Sequence, residues 1–313
     1  MATTEKIAVP SFLDSPEIEF GATVPWKTGA ETPSRLIIAS YNIRYAVGQF
    51  LISTGLLRRA GFNLPGNRAQ TVGENIRLAA RAFSEGLRVP PVDILALQEA
   101  DKGTERTGGH HVARELAEQL QMTWVHAPAG IPRGIEPRDR QWWLGFEEQI
   151  GLQDPGDTGV ALLSKLPMDE VVRIDLPWTE CPWRPRLSLG ASIKVGAETL
   201  RILNSHIDPH SAADGQLEQL EVVLDHADKF AGPTLALGDF NTLSRRKSIE
   251  TRRLLESRGY ATPFPTGTPT WRGAGIRLHA DWIFVRNLNV TRWGVARSLN
   301  VSDHWPVWVE VSL

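Results

Sequence analysis

A single cysteine, Cys181, leaves no internal disulfide framework and no zinc site built on several thiolates. A reducing compartment is the simpler expectation, and the cytoplasm the predicted location. The opening stretch MATTEKIAVPSFLDSPEIEF has no apolar segment behind a basic start, and no apolar run reaches the roughly 18 residues that a membrane helix needs. Neither a signal peptide nor a transmembrane helix is therefore expected. Charge of one sign is missing too: 34 Lys and Arg stand against 36 Asp and Glu, for a net charge of -2. No global basic field draws this chain to nucleic acid or anionic membrane, so any polyanion must be held by local groups.

What is present suffices for a sizeable core, since 42% of the 313 residues are hydrophobic. Residues 1–33 scatter Pro, Gly and charge without periodicity and read as an irregular extension. Four short apolar runs follow: RLIIASYNIR (35–44), VDILALQEA (92–100), LRILNSHID (200–208) and PTLALGDFN (233–241). Their length and near-continuous hydrophobicity predict strands covered on both faces. Weaker strands are expected at MTWVHAP, GVALLSK, VVRIDL, LSLGASIKV, ADWIFVRN, NVTRWGVA and PVWVEVSL. Helical patterns lie between them at TVGENIRLAARAFSEGL, HHVARELAEQL, DGQLEQLEVVLDHADKF and SIETRRLLESRG, the last stopped by Gly259. No linker and no repeat divides the body, so the economical architecture is one α/β domain over residues 34–313 with two sheets. An apolar insert near 45–70 and a Pro/Gly/Trp-rich insert near 128–158 break the rhythm, and long loops in compact domains are more often functional than decorative.

Each strong run ends on a polar group: Asn42, Gln98-Glu99, His206, and Asp239 with Asn241. Alternation places Asp239 and Asn241 on one face, with Phe240 turned into the core. Asp281 opens DWIFV, and Asp303-His304 precede the final strand in a turn shaped by Pro306. Any one of these is an ordinary turn former. Taken together they place acids, amides and imidazoles at strand ends, where ligands gather in α/β sheets. Carboxylate and amide oxygens without thiolates make a hard-oxygen site suited to Mg2+ or Mn2+. Imidazoles beside such an ion point to acid-base work or to charge stabilisation on a phosphate, and phosphoester hydrolysis is the natural inference.

In order along the chain, SYNIR, LALQEAD, GVALLSK, LNSHID, LALGDFN, HADWIFV and VSDHWPV resemble the endonuclease/exonuclease/phosphatase superfamily of metal-dependent phosphoesterases. The resemblance implies a four-layer α/β/β/α sandwich with two mostly antiparallel mixed sheets and a site at their open edge. It implies Glu99 as principal metal ligand, with Asn42 beside it and Asp303 facing the same site, for Mg2+ or Mn2+. It further implies that Asp239 orients or deprotonates the attacking water and that Asn241 holds a phosphate oxygen. His304 would contact the scissile phosphate with Asp281 behind its other nitrogen, and His206 would bind phosphate or assist the leaving group.

The sequence departs from that pattern where an arginine is often found three residues before a glutamine: DGQLEQL has Gln216 before Gln219, so a phosphate-facing cation is missing there. Arg106, beside the Gly108-Gly109 turn, is a candidate substrate contact, while His110 and His111 read as cap and surface residues. His206-x-Asp208-x-His210 carries little weight as a metal cluster, because Pro209 interrupts the strand. Trp142-Trp143 fits a base stack or, more safely, a hydrophobic plug. Three readings of the substrate stay open. SRRKS (244–248) favours nucleic acid, GQFLISTGLL (48–57) a lipid headgroup or small phosphorylated metabolite such as an inositol phosphate, and a non-catalytic binding module comes third. No obligate protein partner is evident.

Overall fold

In the computed structural model, which describes residues 17–22, 33–48, 68–86, 89–131, 150–177, 185–273 and 275–312, the apolar runs form strands buried on both faces. The strands are β1 (Glu19–Gly21), β2 (Arg35–Asn42), β3 (Ile94–Gln98), β4 (Thr123–Pro128), β5 (Gly159–Ser164), β6 (Met168–Asp175) and β7 (Leu187–Val195). They continue as β8 (Glu198–His206), β9 (Thr234–Asp239), β10 (Trp271–Gly273), β11 (Ile276–Leu278), β12 (Asp281–Arg286), β13 (Asn289–Val295) and β14 (Val307–Ser312). The helices are α1 (Arg68–Ser84), α2 (Val112–Leu120), α3 (Ala213–Ala227) and α4 (Arg245–Ser257). One sheet has the order β1-β4-β5-β3-β2-β14-β13, the other β12-β9-β8-β7-β6, and β10-β11 is a separate hairpin. Among the described strands only β2-β3 and β8-β9 pair parallel, and the other neighbours are antiparallel.

Alternation along the strands builds the layers. Leu36 and Ile38 of β2 and Ile94 and Ala96 of β3 share a buried core with Leu187 and Leu189 of β7 and Ile202 of β8, between the two sheets. Their neighbours Ala39, Tyr41, Leu95 and Leu97 face the other way, onto Val72 and Ile76 of α1 and Val112 and Leu116 of α2. On the far side of the five-stranded sheet, α3 and α4 contribute Leu220, Leu224 and Leu255. The result is the expected α/β/β/α sandwich. Two differences from the sequence expectation stand out. The extension read as irregular adds an edge strand, with Glu19 opposite His126, and the β10-β11 hairpin was too short to show a period.

One polar bridge crosses the apolar interface between the sheets. The Asn204 amide donates to the carbonyls of Leu97 and Ala161, both at 2.9 Å, and its oxygen accepts from Gln98 at 2.6 Å. Because an unpaired amide there costs about 1 to 3 kcal/mol, a slip of one sheet on the other is disfavoured.

A buried imidazole makes stability acid-sensitive. His279 stacks on Trp282 with ring centroids 3.7 Å apart, and its Nδ1 accepts from the Gly267 N–H at 3.2 Å. Burial pushes its pKa down to about 3. The unfolded chain binds that proton below about 6.5 while the folded chain refuses it until about 3, so stability is full above the first value and falls toward the second. The slope is roughly 1.4 kcal/mol per pH unit. Urea unfolding of the chelator-treated protein should lose stability more steeply with acid in wild type than in His279→Gln, which retains an acceptor; equal slopes refute this account.

Candidate active site

Strand direction explains why the polar residues meet. Parallel pairing puts the C-terminal ends of β2 and β3 at one edge, with Asn42 opposite Gln98, and those of β8 and β9 at one edge, with His206 opposite Asp239. Antiparallel β12 starts where β9 ends, so Asp281 lies opposite Asp239. β14 likewise starts beside the end of β2, Val307 opposite Ser40, which brings Asp303 and His304 to that edge.

Asp239 is the hub. Its buried carboxylate accepts from Asn42 Nδ2 at 2.8 Å and from the Asn241 N–H at 3.0 Å, and Oδ2 lies 3.6 Å from His206 Nε2 and 3.8 Å from His304 Nε2. Glu99 Oε1 stands 3.9 Å from the same His206 nitrogen. Behind His304, Nδ1 donates to Asp281 at 2.9 and 3.1 Å, which fixes the tautomer and leaves Nε2 toward Asp239. The Asp281 and Ala280 N–H groups both donate to Thr270 Oγ1.

These contacts set the charges. Burial raises the Asp239 carboxyl to about 7, with Asp281 adding to it and the His304 cation opposing. For His304, burial works against the charge, but the carboxylates of Asp281 and Asp239 outweigh it and lift the pKa to about 10. Asp239 is thus a basic carboxylate beside an imidazolium held charged.

The loops at this edge bend through an unusual backbone region. Glu99 has φ +52 and Asn241 +50, and Arg44, Tyr45 and Ala46 are also left-handed. Asn241 therefore does not continue the extended alternation expected after Asp239; it turns, and its Nδ2 donates to the Ile207 carbonyl at 2.8 Å. Phe240 is buried as expected, stacked with Phe284.

The reading of Arg106 as a substrate contact is corrected. Its guanidinium is buried, forks onto Asp101 at 2.6 and 2.8 Å, and lies 3.3 Å over the Tyr45 ring. Asp101 is fully buried two residues beyond Glu99, and a buried carboxylate requires such a partner. Asp303 reaches the edge with its carboxylate turned to Trp271 Nε1 at 3.0 Å and Arg44 Nη1 at 3.4 Å, not to Asp239. Asp208 of the His-x-Asp-x-His stretch caps its own loop, accepting from the His210 N–H and Ser211 Oγ, both at 2.9 Å. Gln216 donates to the carbonyls of Asp208 and Asn241, so it ties loops together. His111 caps α2, its Nδ1 accepting from the Arg114 N–H. In the SRRKS stretch, Arg246 pairs with Glu250 one turn on, a solvated helix face. GQFLISTGLL from residue 49 on, and Trp142-Trp143, lie outside the described residues.

Sequence reasoning missed Arg186. It lies just ahead of β7, whose Ser188 faces Ser205, and its Nη1 sits 2.9 to 3.0 Å from the His206 ring nitrogens. Glu99, Thr158, Pro185, Arg186 and His206 line one small pocket. The signal was available: a strand antiparallel to the His206 strand must begin at the edge where that strand ends.

The donor set fits a hard divalent cation. Glu99, Asn42 and Asp303 offer oxygen only, and the Glu99 carboxylate borders the pocket. Asp239, Asp281 and His304 bring one ligand atom each within 4.8 Å of one another.

No curated protein sequence matches the chain. Among solved structures it is similar to an endonuclease/exonuclease/phosphatase from Beutenbergia cavernae DSM 12333, at 17% identity and TM-score 0.61, covering 90% of this chain and 72% of that one. It is similar to ANGEL2, a 2',3'-cyclic phosphatase in complex with adenosine-2',3'-vanadate, at 14% identity and TM-score 0.56, covering 89% and 96%. Truncated Caenorhabditis elegans TDP2 gives 14% identity and TM-score 0.53, covering 89% and 98%. At such identities the likeness is one of fold. The sequence profile of the Endonuclease/Exonuclease/phosphatase family, however, matches residues 39–304, from within β2 to the His304 turn, and by that match the chain belongs to this family.

Proposed function

We propose that this protein hydrolyses a phosphodiester with the help of Mg2+ or Mn2+. The observation that carries the reading is the row Asp281, Asp239, His206 along one sheet end, closed by His304 and faced by Asn42 and Glu99 from the other sheet. Glu99 and Asn42, with Asp303 nearby, would hold the ion, which when bound supplies a positive charge for a phosphate oxygen and polarises the ester.

The chain's own groups then have separate tasks. Asp239, buried and with its carboxyl raised to about 7, takes the proton of the attacking water. His304, kept charged by Asp281, offers its Nε2 proton to a phosphate oxygen and returns none to Asp239 while that charge persists. His206 and Arg186 stand together on the Glu99 side, where N–H groups meet the remaining phosphate oxygens. Arg186 thereby fills the role for which Gln216 lacks the charge.

Among substrates a polyanion is favoured. Arg272, Arg277 and Arg297 surround Trp305, the residue after His304, at 5.0 to 5.9 Å from its ring, and Arg44 lies beside Asp303. This local concentration of arginine, in a chain with net charge -2, suits a nucleic acid better than a neutral lipid surface. ANGEL2, a 2',3'-cyclic phosphatase bound to adenosine-2',3'-vanadate, is a neighbour in fold whose ligand is derived from a nucleoside.

The test is a panel of plasmid, abasic-site duplex, single-stranded DNA and RNA, sphingomyelin and inositol phosphates with Mg2+ or Mn2+. Nucleic-acid cleavage that falls steeply with salt is expected, and Arg186→Ala should lower kcat/KM by ~10²-fold. Cleavage of sphingomyelin or inositol phosphate alone would move the substrate to the second class; no turnover on any substrate overturns the reading.

A further inference from the structure

We propose that Glu19, His111 and His126 form a second cation site, for a borderline transition ion of the Zn2+ class, behind the loop that carries Glu99. Each of the three offers one ligand atom within 4.8 Å of the others. They come from three elements: β1, the N-terminal cap of α2, and β4, where His126 lies opposite Glu19. Nothing in the proposed hydrolysis uses them.

His126 carries the argument. Its ring is fully buried, and Nε2 lies 2.7 Å from the Ala100 carbonyl, so Nε2 holds the proton and Nδ1 keeps a lone pair. That Nδ1 is buried and has no hydrogen-bond partner. An orphaned buried acceptor is uncommon and costly. An imidazole whose N–H is held by a backbone carbonyl while its other nitrogen stays bare is the arrangement that metal-bound histidines adopt.

The other two ligands complete a known type of donor set. His111 packs edge-on against His126, with ring centroids 5.3 Å apart, and its Nε2 meets Glu19 Oε2 at 3.0 Å. His111 Nδ1 accepts from the Arg114 N–H and His126 Nδ1 has no partner, so each ring keeps a lone pair. Two imidazoles and one carboxylate suit Zn2+, whereas the oxygen-rich sheet edge suits Mg2+ or Mn2+. Glu19 keeps a third of its side chain exposed, at 34%, and gives the ion its way in.

Binding has two identifiable costs. The His111 proton moves from Nε2 to Nδ1, which releases the 3.3 Å capping contact with Arg114 N–H, and no proton leaves the protein. Lys102, paired with the other Glu19 oxygen, repels the ion. The site connects to the reaction centre through Ala100, which follows Glu99: its carbonyl holds His126 and its N–H donates to Gly159, a residue of the pocket. An ion there would tie β1 to β4 and α2 and brace the Glu99 loop from behind.

The experiment uses the full chain carrying Glu99→Gln and Asp239→Asn, which disables the sheet-edge site, stripped with chelator and titrated with Zn2+ or Co2+. A single equivalent is expected to bind, with a visible Co2+ band and a raised Tm. Adding Glu19→Gln should weaken binding ~10- to 100-fold and abolish the Tm rise, while Lys102→Met should strengthen it. His126→Asn serves as a second ligand variant, and Glu19→Gln, at a half-buried position, keeps the test decisive if His126→Asn does not fold. No uptake by the background chain, or the same uptake after Glu19→Gln, overturns the site.

Discussion

Asp239→Asn should lower kcat/KM for phosphodiester hydrolysis by about 10³- to 10⁴-fold without unfolding the protein. Asparagine matches aspartate in size, and its Oδ1 still accepts from the Asn241 N–H, so the turn after β9 survives. What disappears is the carboxylate oxygen proposed to take the proton. The amide also turns N–H groups toward Asn42 Nδ2, now 2.8 Å from a carboxylate oxygen, and removes one of the negative charges that keep His304 protonated. Base, orientation and electrostatics fail together, which is why the expected loss exceeds that of a single donor. Initial rates on the best substrate of the panel, with circular dichroism as a check on folding, decide it. Activity within tenfold of wild type sinks the assignment of Asp239 as the base.

Glu99→Gln is expected to act through the metal. The substitution keeps shape and removes the charge of the carboxylate that borders the pocket beside His206 and Arg186. The half-saturating Mg2+ or Mn2+ concentration should rise about 10- to 100-fold, with a lower rate even at saturation. Mn2+ binding followed by paramagnetic resonance reads the same step without turnover. An unchanged metal titration would show that Glu99 is not the principal ligand and leave it as a neighbour of the phosphate.

The fold was legible because buried strands announce themselves. Four runs such as PTLALGDFN are apolar on both faces, which occurs when a sheet is covered on both sides, and each became a strand of a four-layer sandwich. The polar group at the end of each run was legible for the same reason: a polar residue placed directly after a run buried on both faces stands out from it. Where position depends on pairing, the signal lies in the topology and not in any local pattern. Arg186 lies at the beginning of a strand, and only knowing that β7 runs against β8 brings it to His206. Arg106 looked like a substrate contact because it sits near Glu99 in the chain, yet the burial of Asp101 turns it inward. Asn241 departed from alternation because the backbone turns left-handed there, a local choice that period-two patterning cannot register.

The backbone at Glu99 has a meaning beyond the site's geometry. With φ +52 it occupies a region that glycine enters freely and other residues enter at a cost of roughly 1 to 2 kcal/mol. Tyr45, also left-handed, donates its N–H to the Glu99 carbonyl, so two such residues hold each other in place. Glycine at position 99 would carry the same turn without that cost. Glutamate there sets a carboxylate against the conformational preference of its own backbone, so in this loop the proposed chemistry and thermostability ask for different residues.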